Sequence, residues 1–337
     1  MLKGLLNAKR LEIQKRCWFV NRGSSKSKIS MKGNKMMEAK MNIHEEIRWN
    51  KIKTNFIITI FICLIAVLGY ILGILYGSPI FGFVVAMFGA GLYTLIMYTK
   101  GDQIILKTTG AREATKREFP YLINTVEGLA IAAGIPAPKC YVIDDSALNA
   151  FATGKDPQHA SITVTTGLLS KMNRQELEGV LGHEMSHIKN FDIRVMLITA
   201  VLVGITILLS DIILRSFLWG GGKRDRDNNQ LIMILIVVGL VLAILAPFIA
   251  ELIKLAVSRR REFLADANGA LLTRNPDGLA SALEKIKADP DPLVDHANRA
   301  TAHLFISTPF RTTKGFVTNL FSTHPPIEER IKKLRSM

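Results

Sequence analysis

Asn173-Arg174-Gln175-Glu176-Leu177-Glu178-Gly179-Val180-Leu181-Gly182-His183-Glu184-Met185-Ser186-His187 is the stretch on which the reading of this chain turns. Asn173 can cap a helix whose third residue is Glu176, which forms a capping-box start, and no proline interrupts residues 173–194. On that helix His183 and His187 lie one turn apart on one face, where two imidazoles can grip one metal ion. Glu184 projects beside them, placed to take a proton from a water polarised by the metal. Neutral imidazole suits Zn²⁺, and a catalytic zinc keeps a coordination position for water. Leu177, Leu181, Glu184 and Ile188 share the adjoining stripe, so the helix is expected to be half in a core and half facing a site. An HExxH string arises by chance about once per hundred chains of this length, so its context must decide.

The context is a membrane protein. The 337 residues are 49% hydrophobic with a net charge of +15, and no Lys, Arg, Asp or Glu occurs from Thr54 to Thr99. Gly77-Ser78-Pro79 divides that stretch into Phe56–Tyr76 and Ile80–Tyr98, each close to the ~20 residues that cross a bilayer. Two further apolar runs follow the HExxH helix, Val195–Leu214 and Leu231–Ala250. They either span or lie as a hydrophobic hairpin in the interface, because Asp211, Arg215 and Glu251 sit at their ends.

Residues 1–53 carry 14 Lys/Arg against 4 Asp/Glu, whereas residues 99–194 balance at 11 and 11. By the positive-inside tendency, the N-terminus and the segment 100–194 face the cytoplasm. No basic patch interleaved with aromatics suggests nucleic acid, and no P-loop suggests ATP. The three cysteines (Cys17, Cys63 and Cys140) are scattered and imply no disulfide framework or zinc cluster.

The expected organisation has five parts. Residues 1–40 form a basic arm, disordered or the product of a start placed too far upstream. Residues 41–99 are the first membrane hairpin, 100–194 a protease subdomain with the HExxH helix, 195–257 the second hydrophobic hairpin, and 258–337 a second protease subdomain. The fold class is mainly α with a small β-sheet, carried on two helical hairpins.

Two histidines need a third protein ligand on the same side of the membrane, and an even number of crossings returns the chain there. Arg259-Arg260-Arg261-Glu262-Phe263-Leu264-Ala265-Asp266 follows the fourth run. Glu262 is either the ligand or a salt-bridge partner of the three arginines. Asp266, one turn on, would accept from a ligand histidine and fix its tautomer. His324 stands in Ser322-Thr323-His324-Pro325-Pro326, six residues before Arg330. It is either a donor aimed at a developing oxyanion or a residue of an ordinary Pro-Pro turn.

The conjunction of His183-Glu184-Met185-Ser186-His187, Glu262-Phe263-Leu264-Ala265-Asp266 and Thr323-His324-Pro325-Pro326 resembles the HtpX membrane-bound zinc metalloproteases. These are gluzincins related to the CAAX prenyl proteases, and the resemblance covers roughly residues 41–337. It implies Glu262 as third ligand to a single Zn²⁺, with His324 and Arg330 as the pair that steadies the tetrahedral intermediate. It also implies a bacterial inner-membrane protein that cleaves damaged or misassembled membrane proteins on the cytoplasmic side without ATP. Asn149-Ala150-Phe151-Ala152 is similar to the edge strand on which gluzincins seat substrate, against the plainer alternative of a hairpin strand in a small sheet.

Three rivals make different demands. An intramembrane-cleaving protease would embed its HExxH helix in an apolar run, but Lys171, Arg174, Glu176, Glu178, Lys189 and Asp192 surround this one. A zinc-stabilised scaffold or holdase would not need Glu184. A transporter would carry polar groups near the bilayer midplane, and the first two runs have none.

Overall fold

A computed structural model describes Glu45 and residues 48–63, 65–67, 69–71, 73–74, 77–202, 259–289, 301, 304–306 and 325–337. The arm 1–40, nearly all of the second hydrophobic hairpin and His324 lie outside the described residues.

Two apolar helices come first, α1 (Arg48–Ile71) and α2 (Pro79–Thr108). The chain turns between them at Gly77, whose φ of 75° suits a residue without a Cβ, and Pro79 opens α2 at a position where a missing N–H is harmless. Only 6% of the most apolar window of α2 is buried, which separates it from a soluble core helix. Phe81 and Phe88 are about 70% exposed, at 69% and 73%, side chains that water would punish and lipid accepts. Both helices overrun the charge-free stretch. α2 continues ten residues beyond Tyr98, because nothing in Thr99–Thr108 breaks a helix and Ile105 gains a buried seat among Ile143, Phe151 and Leu197. The charge-free run therefore marks a bilayer-sized stretch, and the helix is longer.

A four-stranded sheet follows, built from β1 (Arg112–Glu113), β2 (Lys139–Ile143), β3 (Ala150–Gly154) and β4 (Ala160–Thr165). Its order is β1-β2-β4-β3, with β2 and β4 parallel and the outer pairs antiparallel, so β3 is an edge strand. Both β3 and β4 are buried at every position instead of alternating. The reason is cover on both faces. Ala150, Ala152, Ile162 and Val164 pack into the core of the protease body, while Phe151 packs with Ile105, Met196 and Leu197 on the other side.

Helices α3 (Pro120–Ala133), α4 (Thr166–Lys171) and α5 (Arg174–Lys189) complete the first half. A further helix, α6, runs through residues 192–202. The second half supplies α7 (Arg259–Thr273), α8 (Pro276–Ala288) and α9 (Ile327–Arg335). The capping box forms as expected: the Glu176 N–H donates to Asn173 Oδ1 at 3.0 Å, and the Asn173 N–H to Glu176 Oε2 at 2.8 Å.

Leu177, Leu181 and Ile188 of α5 pack in the core while His183 and His187 turn to the site, and the side that faces the site is enclosed as well. From Glu176 to Ile188 every residue of α5 except Glu178 is buried. Small residues permit the enclosure. A Cβ on Gly179 would sit 2.5 Å from Leu279 N, and one on Gly269 would sit 2.9 Å from His183 N, so α8 and α7 press directly on the α5 backbone. α5 is the central post of the protease body.

Candidate metal centre

The Gly182–Gly269 contact decides where the second half of the site arrives. It seats α7 against the histidine face of α5, and Glu262 and Asp266 come with it. Among the described residues, His183, His187 and Glu262 form a buried trio whose donor atoms lie within 4.8 Å of one another. The Nε2 atoms of the two histidines are 3.1 Å apart. Glu262 Oε2 is 3.7 Å from His183 Nε2, and Glu262 Oε1 is 3.5 Å from His187 Nε2. Donors at zinc bond lengths in a tetrahedron are about 3.3–3.4 Å apart, so all three edges fit such an ion closely.

Tautomers make the same point. Asp266 Oδ1 lies 2.9 Å from His183 Nδ1, and Asp192 Oδ2 lies 3.0 Å from His187 Nδ1. A carboxylate only accepts, so each Nδ1 carries a proton and each ring turns its Nε2 toward the other. Without an ion, a proton on His187 Nε2 bridges the 3.1 Å gap to His183 Nε2, and a metal ion bound there would take its place. Among the described residues, Glu184, Asp192, Glu262 and Asp266 are buried around the trio together with Arg261 and Arg330.

Burial drives the His183 ring down to about 4, aided by Arg330, so it is a neutral donor. Burial also opposes charge on His187, but the Asp192 hydrogen bond and the Glu262 charge outweigh it and raise that ring to about 9. Burial pushes Glu184 up to about 7, the range in which a carboxylate both takes and returns a proton near neutrality. The backbone N–H of Ala152 on β3 donates to it, which ties the base to the edge strand. Burial would raise Asp266, but Arg330 and then His183 hold it at about 2.

Arg330 is 1% exposed and reaches Asp266 with two N–H groups at 2.7 and 2.9 Å. Its Nη1 donates to the Ile306 carbonyl at 3.3 Å and lies 3.8 Å from Glu262. Asn149, Ala150, Phe151 and Ala152 are all buried beside the site. The outer edge of β3 carries peptide backbone already, because the Ile306 N–H donates to the Ala150 carbonyl at 2.9 Å and Phe305 stacks edge-on against Phe151 at 5.0 Å. His324 lies outside the described residues, two residues before Pro326, which caps the helix that carries Arg330.

Sequence reasoning missed Asp192 as a partner of His187. Phe191 turns the chain back with a φ of 59°, which brings Asp192 beneath the ring only five residues on. A signal existed: both ligand histidines want a carboxylate, and Asp192 is the first acidic residue after His187. Arg261 and Asn50, which also reach Asp192, gave no such signal.

A zinc peptidase of the HExxH-plus-glutamate kind is the class that this fold and trio define, and residues 116–337 match the family model "Peptidase family M48". The chain belongs to that family. Within it the chain is of the HtpX type. It is 52% identical over 294 residues to the protease HtpX homolog of Dictyoglomus thermophilum, covering 87% of this chain and 94% of that one. Identity to the homolog of Streptococcus gordonii is 42% over 299 residues, covering 88% and 100%. The solved structure of S. mikatae Ste24p aligns at a TM-score of 0.46 and 19% identity, over 86% of this chain and 66% of that one, just under two thirds of its length. The protein is a zinc-dependent membrane metalloendopeptidase, with bacterial relatives and two helices long and apolar enough to cross a bilayer.

Proposed function

We propose that His183, His187 and Glu262 hold one Zn²⁺ per chain, and that the enzyme cleaves cytoplasmic segments of damaged or misassembled membrane proteins without ATP. The observation that carries the reading is the convergence of two Nε2 atoms and a carboxylate on one point, beside Glu184 and the edge strand β3. When bound there, zinc supplies Lewis acidity, which acidifies water and polarises the scissile carbonyl.

The chain's own groups do the rest. Asp266 and Asp192 fix the tautomers and aim the rings. Glu184 takes the proton of the attacking water and passes it to the leaving amine. Arg330, held by Asp266, gives one N–H of Nη1 to the Ile306 carbonyl, and the second N–H of that nitrogen, with His324, would steady the developing oxyanion. Substrate enters as an added strand on β3, at Asn149, Ala150, Phe151 and Ala152. The pairing of Ile306 with Ala150 supports this, because that edge already accepts a peptide backbone. Main-chain pairing asks little of sequence, which suits a protease that selects unfolded segments.

The test is a zinc-loaded preparation in detergent without nucleotide. It is offered one membrane protein with a cytoplasmic domain either folded or destabilised by mutation. Cleavage restricted to the destabilised domain is the expected result. Equal cleavage of both, or a requirement for ATP, would overturn the substrate reading.

A further inference from the structure

At the metal's side of the protein, one residue of a membrane helix is wired to a ligand. Asn50 lies in the first turn of α1 and is 1% exposed. Its Nδ2 donates to Asp192 Oδ1 at 2.8 Å and to the Asn190 carbonyl at 3.0 Å, the residue that caps α5. Its Oδ1 accepts from Arg261 Nη1 at 3.2 Å. The same guanidinium nitrogen lies 3.4 Å from Asp192 Oδ1. The other oxygen of Asp192 takes the Nδ1–H of His187. Arg261 immediately precedes Glu262 on α7. One amide thus joins α1, the end of α5, the start of α6 and the start of α7, and two of the four strands of that knot lead to metal donors.

We propose that Asn50 is a positioning residue that sets the metal affinity of the centre by orienting Asp192, and through it His187. The proposal rests on His183, His187 and Glu262 being the zinc site. The chemistry needs an amide. Asp192 uses one oxygen on His187, and its other oxygen is shared by the Asn50 amide at 2.8 Å and Arg261 Nη1 at 3.4 Å, the amide being the nearer donor. Arg261 must in turn be given an acceptor that does not draw it onto Glu262. An amide offers both a donor and an acceptor within one planar group. A leucine at position 50 fills similar volume and offers neither, so Asp192 keeps only the longer Arg261 contact on that oxygen and His187 is aimed less firmly. Groups in this outer layer are typically worth about 10–100-fold in metal affinity.

Packing of the same helix is separable. Ile57 and Phe61, further along α1, belong to a separate apolar cluster with Val195, Ile198 and Leu202. Phe61→Ala loosens α1 without disturbing Asp192.

The experiment uses full-length protein in detergent, with zinc alone as the probe, titrated against a chelator. Co²⁺ absorption spectra report the ligand field. Asn50→Leu should weaken zinc about 10–100-fold, alter the Co²⁺ bands, and recover kcat at saturating zinc with KM unchanged. Phe61→Ala should lower thermal stability while leaving zinc affinity within about twofold, and Asn50→Leu should add little to Asp192→Asn, because both remove one pathway. If Asn50→Leu does not fold, Asn50→Ser, whose hydroxyl cannot span the amide's two partners, is measured the same way. Wild-type zinc affinity in these variants would overturn the proposal, as would an equal loss in Phe61→Ala or full additivity with Asp192→Asn. A wild-type protein that binds no stoichiometric zinc would instead overturn the underlying site assignment.

Discussion

Gly269→Ala is a single methyl group placed where it should unseat the third ligand. The added Cβ would lie 2.9 Å from His183 N, 3.0 Å from Gly182 C and 3.2 Å from His183 Cα, whereas ordinary contact begins at 3.4 Å. Every one of these neighbours is backbone, so no side chain can swing aside. α7 must therefore back off α5 by about half an ångström, at an overpacking cost of ~1–3 kcal/mol. Glu262 and Asp266 ride on the same helix, and a metal site tolerates roughly 0.2 Å of bond-length error. Zinc affinity should fall at least about tenfold, which is ~1.4 kcal/mol. Denaturant unfolding measures the first loss and chelator competition the second. Gly128→Ala is the control. Nothing lies within 4 Å of its added Cβ on α3, so it should stabilise by ~0.5–1 kcal/mol and leave zinc alone. If Gly269→Ala binds zinc as tightly as wild type, close packing of α7 on α5 does not set the third ligand.

Other expectations follow from the same geometry. Ile306→Pro removes the N–H given to Ala150 and should raise kcat/KM for a short peptide, since substrate competes for that edge; a fall would make residues 304–306 part of the cleft wall. His324→Ala should lower kcat by ~2–4 kcal/mol of barrier with metal content unmoved, and an unchanged kcat would make it a turn residue. Cysteine labelling in intact cells should reach Ser78 from outside but not Lys155; external labelling at Lys155 would reverse the assigned orientation.

The chemistry of the site was more legible in the sequence than its assembly. Asn173 and Glu176 announce the start of α5, and the spacing of His183 and His187 alone puts both rings on one face, because local rules govern a helix. The arrival of Glu262 depends instead on Gly182 and Gly269 permitting backbone contact between α5 and α7, and no periodicity records which glycines meet. Asp192 hides behind a left-handed Phe191. Asn50 is 142 residues from Asp192, and a lone amide in a polar turn carries no motif. The enclosure of α5 on the side that faces the site was invisible for a related reason. An enclosed helix that carries a buried base and two ligands has too many polar residues to look like a core.

The central claim is that Glu184 is the base of a zinc-dependent hydrolysis performed beside His183, His187 and Glu262. Proteolysis and bound zinc, measured side by side for wild type and Glu184→Gln, test it most directly. Both proteins should hold close to one zinc per chain, because the ligands remain, while the variant loses ~10²–10⁴ in rate. A Glu184→Gln protein that still cleaves, or a wild type that cleaves with no zinc bound, would contradict the account.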